Sequence, residues 1–138
     1  YNNLNVLTNG LYTALELMKI DSVNVHLLGG NLNKILLDTK GTDTMSQIGM
    51  HHSDIAFISC RGITARGSFD PNDDETAVKR AFAENSTKVV LFADSSKFNK
   101  TFLNVSLVYD VIDAIISDAP FPEDIQEVCR NKNVEMLW

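Results

Sequence analysis

Thr87-Lys88-Val89-Val90-Leu91-Phe92-Ala93-Asp94-Ser95-Ser96-Lys97-Phe98 is an apolar run that turns polar within a single residue. Consecutive Val, Leu, Phe and Ala without polar alternation suit a strand covered on both faces, and such strands belong to parallel sheets flanked by helices. In open sheets of that kind ligands sit beyond the carboxyl ends of the strands, where Asp94, Ser95, Ser96 and Lys97 fall. One carboxylate, two hydroxyls and one ammonium make a polar wall there, with Lys97 able to meet an anion as a point charge. The same residues also suit a plain strand-exit turn with a solvated lysine.

Upstream, Asp54-Ile55-Ala56-Phe57-Ile58-Ser59-Cys60 repeats the pattern and ends in Arg61-Gly62-Ile63-Thr64, which puts a permanent cation and a glycine at the same edge. Gly67, Pro71 and a cluster of Asp and Asn predict a loop over 65–74. Asp73 or Asp74 then caps a helix to about Glu84, with Ala77, Val78, Ala81 and Phe82 as its buried stripe. Glu75 lies in the first turn, where it favours the helix dipole and also stands where a ligand's hydroxyls could be met. Lys79, four residues later, predicts an ordinary surface pair with it.

At the N-terminal end, Leu4–Leu7 reads as a strand stopped by Thr8-Asn9-Gly10, and Leu11, Ala14, Leu15 and Met18 recur at helical spacing. Thr8 or Asn9 caps that helix, and the turn offers backbone N–H groups at a positive helix end where anions bind; capping alone explains both residues. Val23–Leu28 is a second strand closed by Gly29-Gly30, glycines that permit close backbone approach or positive φ, as a simple tight turn also requires. Residues 31–40 carry no clean period and read as a loop or an irregular strand. A helix follows over 41–50, with Met45, Ile48 and Gly49 inward, and then His51 and His52 as surface residues rather than a metal-binding pair. Downstream come a turn at Asn99-Lys100-Thr101, an apolar segment at Val105, Leu107 and Val108, and a strand at Asp113–Asp118. A helix opened by Pro122 and carrying Ile125 and Val128 leads to an edge strand at Val134–Trp138. Strands alternating with helices predict a three-layer α/β sandwich with a mostly parallel sheet and right-handed crossovers.

A chain of 138 residues is sized for one domain spanning 1–138. It has no apolar run near the roughly 20 residues of a membrane span, so no membrane partner and a cytoplasmic location are expected. Cys60 and Cys129 have no Cys or His at ligand spacing, which suits two ordinary thiols in a reducing compartment, with neither metal nor cofactor. A net charge of −6 argues against this segment gripping a phosphate backbone, so any DNA contact belongs to another segment. The opening Tyr1-Asn2-Asn3-Leu4, without an initiator Met, reads as if cut from something longer.

Thr8-Asn9 after a strand, Gly29-Gly30 after the next, Asp54–Ile58 leading to Gly62-Ile63, Glu75-Thr76-Ala77-Val78-Lys79-Arg80-Ala81 and Ala93-Asp94-Ser95-Ser96-Lys97-Phe98 occur together in the order of one family. The chain resembles the C-terminal effector-binding domain of DeoR-family transcriptional repressors over nearly its whole length. The resemblance implies a fold like that of ribose-5-phosphate isomerase and related sugar-phosphate enzymes, a phosphorylated sugar as effector, and homo-oligomerisation. It also implies operator DNA as a partner through an N-terminal winged helix-turn-helix that this chain lacks. By the same resemblance Thr8, Asn9, Gly29, Gly30, Gly62, Glu75, Asp94 and Lys97 line the ligand pocket, Lys97 toward phosphate or a ring oxygen, Asp94 and Glu75 toward hydroxyls. Sensors of the family usually begin with a strand and a Gly-Thr-Thr phosphate turn, and this sequence starts after that point. Two other readings share the scaffold. A sugar-phosphate isomerase would need a base after the Asp54–Ile58 strand, where Ser59-Cys60-Arg61 supplies no carboxylate; a pure oligomerisation module would leave the strand ends as mere turns.

Overall fold

Leu4–Thr8 (β1) and Val23–Leu27 (β2) pair in parallel, Val6 beside Val25 and Thr8 beside Leu27, so the chain between them must cross over. Helix α1, Leu11–Leu17, makes the crossing. The computed structural model describes residues 3–138; Tyr1 and Asn2, on which the reading of a cut N-terminus rests, lie outside the described residues. The chain forms two compact units, 1–51 and 52–138, and each is described by itself.

In the first unit the stretch without a clean period is a hairpin, Asn31–Asn33 (β3) antiparallel to Asp38–Lys40 (β4). Its turn is built by side-chain chemistry rather than by periodicity: Asn33 Oδ1 accepts from the amides of Ile35 and Leu36, and Leu37 closes the turn at φ 52°. Helix α2, Thr42–Gly49, buries Thr44 and Ile48, leaves Met45 half-buried and turns Gly49 outward, so its inward stripe is displaced toward Thr44. On α1 only Ala14 is buried; Leu15 and Met18, expected inward, are exposed. The α1 N-cap is Gly10, without a side-chain cap bond, in place of Thr8 or Asn9.

The second unit begins with β5, Ser53–Ser59, then β6, Gly62–Thr64, β7, Gly67–Asp70, and α3, Asp73–Glu84. It continues through β8, Ser86–Phe92, β9, Asn104–Leu107, β10, Ala114–Ile116, α4, Glu123–Lys132, and β11, Glu135–Leu137. Four strands form a parallel sheet in the order β11-β10-β8-β5, which places Met136, Ile115, Leu91 and Ile58 in one rung. These residues and Val89 lie on the face that packs with Phe121, Ile125 and Cys129, the second unit's core. Burying one such aliphatic or aromatic side chain is worth about 1.5–3 kcal/mol. The α/β class and the parallel central sheet expected of the sequence are therefore present.

The expectation that the quoted strand is covered on both faces is corrected. Burial along β5 and β8 alternates: Ala56, Ile58, Val89 and Leu91 are buried, whereas Phe57 is 66% and Phe92 43% exposed, their rings 5.8 Å apart. Side chains on a strand alternate faces, and an apolar run alone does not say how many of those faces are packed. The loop expected over 65–74 is also corrected. It contains β7, fully buried, which sits between β6 and β9 in an antiparallel sheet. The α3 cap is Asn72, whose side chain accepts from the amides of Asp74 and Glu75, rather than Asp73 or Asp74. The buried stripe of α3 is Thr76, Val78 and Ala81, with Ala77 and Phe82 half-buried.

Candidate functional site

The quoted stretch ends in a built turn. Asp94 leaves β8 with extended geometry and caps a short 3₁₀ turn, Ser95–Lys97, by accepting from Ser96 N at 2.9 Å and from the Ser96 hydroxyl. Those two donors, the hydroxyl first, hold the Asp94 carboxyl below the usual carboxylate range. Asp118, just past β10, accepts from Ser95 N at 2.6 Å and from Ser95 Oγ at 3.2 Å, and that amide is the main cause of its own lowered pKa. The neighbouring strand end is thereby tied to the turn. Lys97 is half-buried, and its ammonium has no hydrogen-bond or ion-pair partner among the described residues.

After the turn the chain is laid against β6. Ile63 bridges Phe98, and Asn99 N donates to Ile63 O at 2.9 Å. Gly62 is the residue that permits this approach: a Cβ there would overlap the Lys100 carbonyl. Next to β6, Arg61 N donates to Phe69 O at 3.1 Å, so Asp70 at the end of β7 stands one residue beyond that rung.

Asp70 is fully buried, and Lys79 Nζ meets its Oδ1 at 2.6 Å and Glu75 Oε1 at 3.2 Å. The Lys79 and Glu75 side chains are 12% and 17% exposed, so this is no surface pair but a largely buried triad opened by α3. Asp70 Oδ2 and Thr76 Oγ1 are buried without a hydrogen-bond partner among the described residues. Cys60, at the end of β5, is pushed up to about 12, first by burial and then by the charge of Asp70; Lys79 and Lys97 act on it in the opposite sense. A thiol so held is protonated and unreactive at neutral pH. Among the described residues no group of three or more His, Cys, Asp or Glu is placed to hold a metal ion.

In the first unit the structure gathers Thr8, Asn9, Gly29 and Gly30 at the carboxyl ends of β1 and β2. Thr8, Asn9 and Gly29 have internal hydrogen-bond partners. Thr8 Oγ1 accepts from Gly10 N at 3.1 Å, and Asn9 donates from Nδ2 to Thr39 O at 2.9 Å. Gly29 N donates to Gln47 Oε1 at 3.0 Å, and Gly29 O accepts from Thr44 Oγ1 at 2.6 Å. Gly30 has φ +144°, and a Cβ on it would overlap Thr44 Oγ1 and stand 2.8 Å from the Lys40 carbonyl oxygen.

The eight residues expected at a site thus fall into two groups of four, Gly62, Glu75, Asp94 and Lys97 belonging to the second unit. Asp70 and Lys79 were not among them. A cavity of about 370 Å³ lies elsewhere in the second unit, lined by Arg66, Arg80, Glu84, Val105 and Ser106 among others. Arg80 is committed there to holding α3 on β9, donating to the carbonyls of Val105 and Ser106.

A family model described as "DeoR C terminal sensor domain" matches residues 1–119. The chain is 30% identical over 137 residues to the glycerol-3-phosphate regulon repressor of Escherichia coli (strain K12), covering 99% of this chain and 54% of that protein. It is 32% identical over 119 residues to the HTH-type transcriptional regulator GolR of Listeria innocua, covering 86% and 47%. It is 26% identical over 132 residues to the HTH-type transcriptional repressor GlcR of Bacillus subtilis, covering 96% and 51%. The chain therefore spans about half the length of the curated relatives it matches.

Proposed function

We propose that this chain, which belongs to the family of DeoR C-terminal sensor domains, is the ligand-sensing module of a transcriptional regulator. Its effector is a phosphorylated sugar, and binding of that effector alters operator affinity through a DNA-binding domain elsewhere in the protein. The observation that carries this reading is Lys97: a half-buried ammonium without a partner among the described residues, at the carboxyl end of a parallel strand, beside the Asp94 carboxylate. A cation so placed suits an anionic ligand, and carboxylate and amide groups around it suit hydroxyls. Glu75 is assigned to hydroxyl contact from the start of α3. Gly62 acts by letting the segment after Lys97 lie against β6. Thr8, Asn9, Gly29 and Gly30, in the first unit, are assigned to ligand contact on the resemblance alone.

The chemistry at the end of β5 favours a sensor over an isomerase. Abstraction of a proton next to a carbonyl needs a positioned base. There the sequence reads Ser59-Cys60-Arg61, burial keeps the Cys60 thiol protonated, and the Asp70 and Glu75 carboxylates are engaged by Lys79. A net charge of −6 is likewise unsuited to direct operator contact by this segment. In the whole regulator the module also associates with copies of itself, and a coupling of about 1–3 kcal/mol between effector and operator is typical of such switches.

The test is thermal unfolding of the protein in the presence of glucose 6-phosphate, fructose 6-phosphate, glycerol 3-phosphate and their unphosphorylated parents. A ligand that binds only the folded state raises the melting temperature. At least one phosphorylated compound is expected to do so, its parent is not, and Lys97→Ala abolishes the rise. A panel without effect on the folded protein overturns the reading.

A further inference from the structure

Asp70 sits where the physics of burial demands a reason. A carboxylate at 0% exposure with one oxygen on an ammonium and the other without a hydrogen-bond partner among the described residues is an incomplete arrangement. An acceptor left without a donor in a low-dielectric setting is costly, and natural structures keep such groups mainly where strain, a ligand or an ordered molecule gives them a role. Its partner Lys79 is equally particular. The ammonium donates to Asp70 Oδ1 at 2.6 Å and makes only an ion-pair contact with Glu75 Oε1, at 3.2 Å. With three N–H donors, it has capacity beyond the Asp70 bond on a side chain that is 12% exposed.

The place of this triad in the fold is the second observation. Asp70 ends β7 one residue beyond the rung formed with Arg61, at the carboxyl end of β5. The turn carrying Asp94 and Lys97 is fastened to the adjoining β6 through Ile63. Asp70 with the Lys79 it holds, and the turn carrying Asp94 and Lys97, are thus both joined to β6, the first through the β6–β7 pairing and the second through Ile63.

We propose that Lys79, held by the buried Asp70, is a second ligand-contacting cation beside Lys97, and that the free Asp70 oxygen accepts a hydroxyl of the same ligand. The class this selects is a hydroxyl-bearing phosphate ester. Two lysines share its dianionic group, and a buried carboxylate rejects analogues without the hydroxyl, because its oxygen would again lack a donor. Asp70 also acts as a positioning residue for the Lys79 ammonium. The assignment rests on the sensor reading above and adds to it the residues that read charge and hydroxyl.

Titration calorimetry on the protein with glucose 6-phosphate, fructose 6-phosphate and glycerol 3-phosphate tests it, with the double variant Asp70→Leu/Lys79→Met beside wild type. The double variant replaces a buried ion pair with apolar groups of similar size, a change such sites tolerate. It is expected to unfold cooperatively and well above the assay temperature, Glu75 losing its partner but keeping 17% of its side chain in solvent, while the affinity for whichever phosphate ester binds wild type falls at least tenfold. As a second measurement on unaltered protein, that ester is expected to protect Lys79 from acylation by an amine-reactive reagent. Undiminished affinity in the folded double variant, or no protection of Lys79, overturns this assignment alone. Failure of wild type to bind any of the three esters overturns the sensor reading and this assignment with it.

Discussion

Lys79→Met removes the ammonium that stands 2.6 Å from a fully buried carboxylate, and nothing else in the triad can replace it. Breaking a buried ion pair from one side costs about 3–5 kcal/mol, because the remaining charge is left desolvated and unpaired. Lys79 keeps 12% of its side chain in solvent, which admits some water and points to the lower end, about 3 kcal/mol. A domain of this size loses about 3 °C of melting temperature per kcal/mol, so the midpoint should fall by roughly 9 °C. Since domains are stable by about 5–15 kcal/mol, the variant remains folded at room temperature. Urea denaturation at pH 7.5 gives the free energy directly. The companion Asp70→Leu/Lys79→Met removes the buried pair, leaves only the 17%-exposed Glu75 to be hydrated, and should recover most of that loss. A single variant that loses less than about 1 kcal/mol, or a double variant no better than the single, refutes the claim that the pair is buried and mutually dependent.

The remaining expectations concern packing and thiols. Gly30→Ala puts a Cβ into Thr44 and imposes φ +144° on a residue with a side chain, so it should lower stability by about 2–3 kcal/mol, read by circular dichroism on heating. Tyr109→Phe removes the hydroxyl that donates to Thr64 O at 2.6 Å from a buried ring, for a loss of about 1 kcal/mol in urea denaturation. Cys60 and Cys129, raised to about 12 and about 11 chiefly by burial, should resist a thiol reagent at pH 8 in the folded protein and react promptly in denaturant. Asp94 and Asp118 have lowered folded-state pKa values, so the stability they add is present above the unfolded carboxylate pKa and lost as pH falls through the folded ones. Asp118→Asn should therefore flatten the loss of melting temperature on acidification below pH 4.

The parallel sheet was legible because its strands are short apolar runs that end abruptly in polar or glycine residues, as at Ala93-Asp94 and Ser59-Cys60-Arg61. The eight residues expected to line one pocket fall four in each unit. What escaped was whatever local pattern does not encode. Gly67-Ser68-Phe69-Asp70 has the composition of a loop, yet it is a buried strand because β6 and β9 flank it, a long-range cause. Without that strand, Asp70 is one of a cluster of Asp and Asn in a loop, and Lys79 reads as half of a surface pair with Glu75. The hairpin at 31–40 escaped because Asn33 and a positive-φ Leu37 make its turn, and neither changes the hydrophobic period. Coverage of one sheet face rather than two could not be told from Val89-Val90-Leu91-Phe92, where every residue is apolar whichever way it points.

Residue-resolved amide shifts of the ¹⁵N-labelled protein, followed during titration with glucose 6-phosphate, fructose 6-phosphate and glycerol 3-phosphate, test the sensor reading most directly. Saturable shifts at Ser95, Ser96, Lys97 and Asn99, with Asp70 and Lys79 moving along the same binding curve, are predicted for at least one compound. Unmoved amides there for all three compounds, or saturable shifts confined to the groove around Arg66 and Arg80, would contradict it.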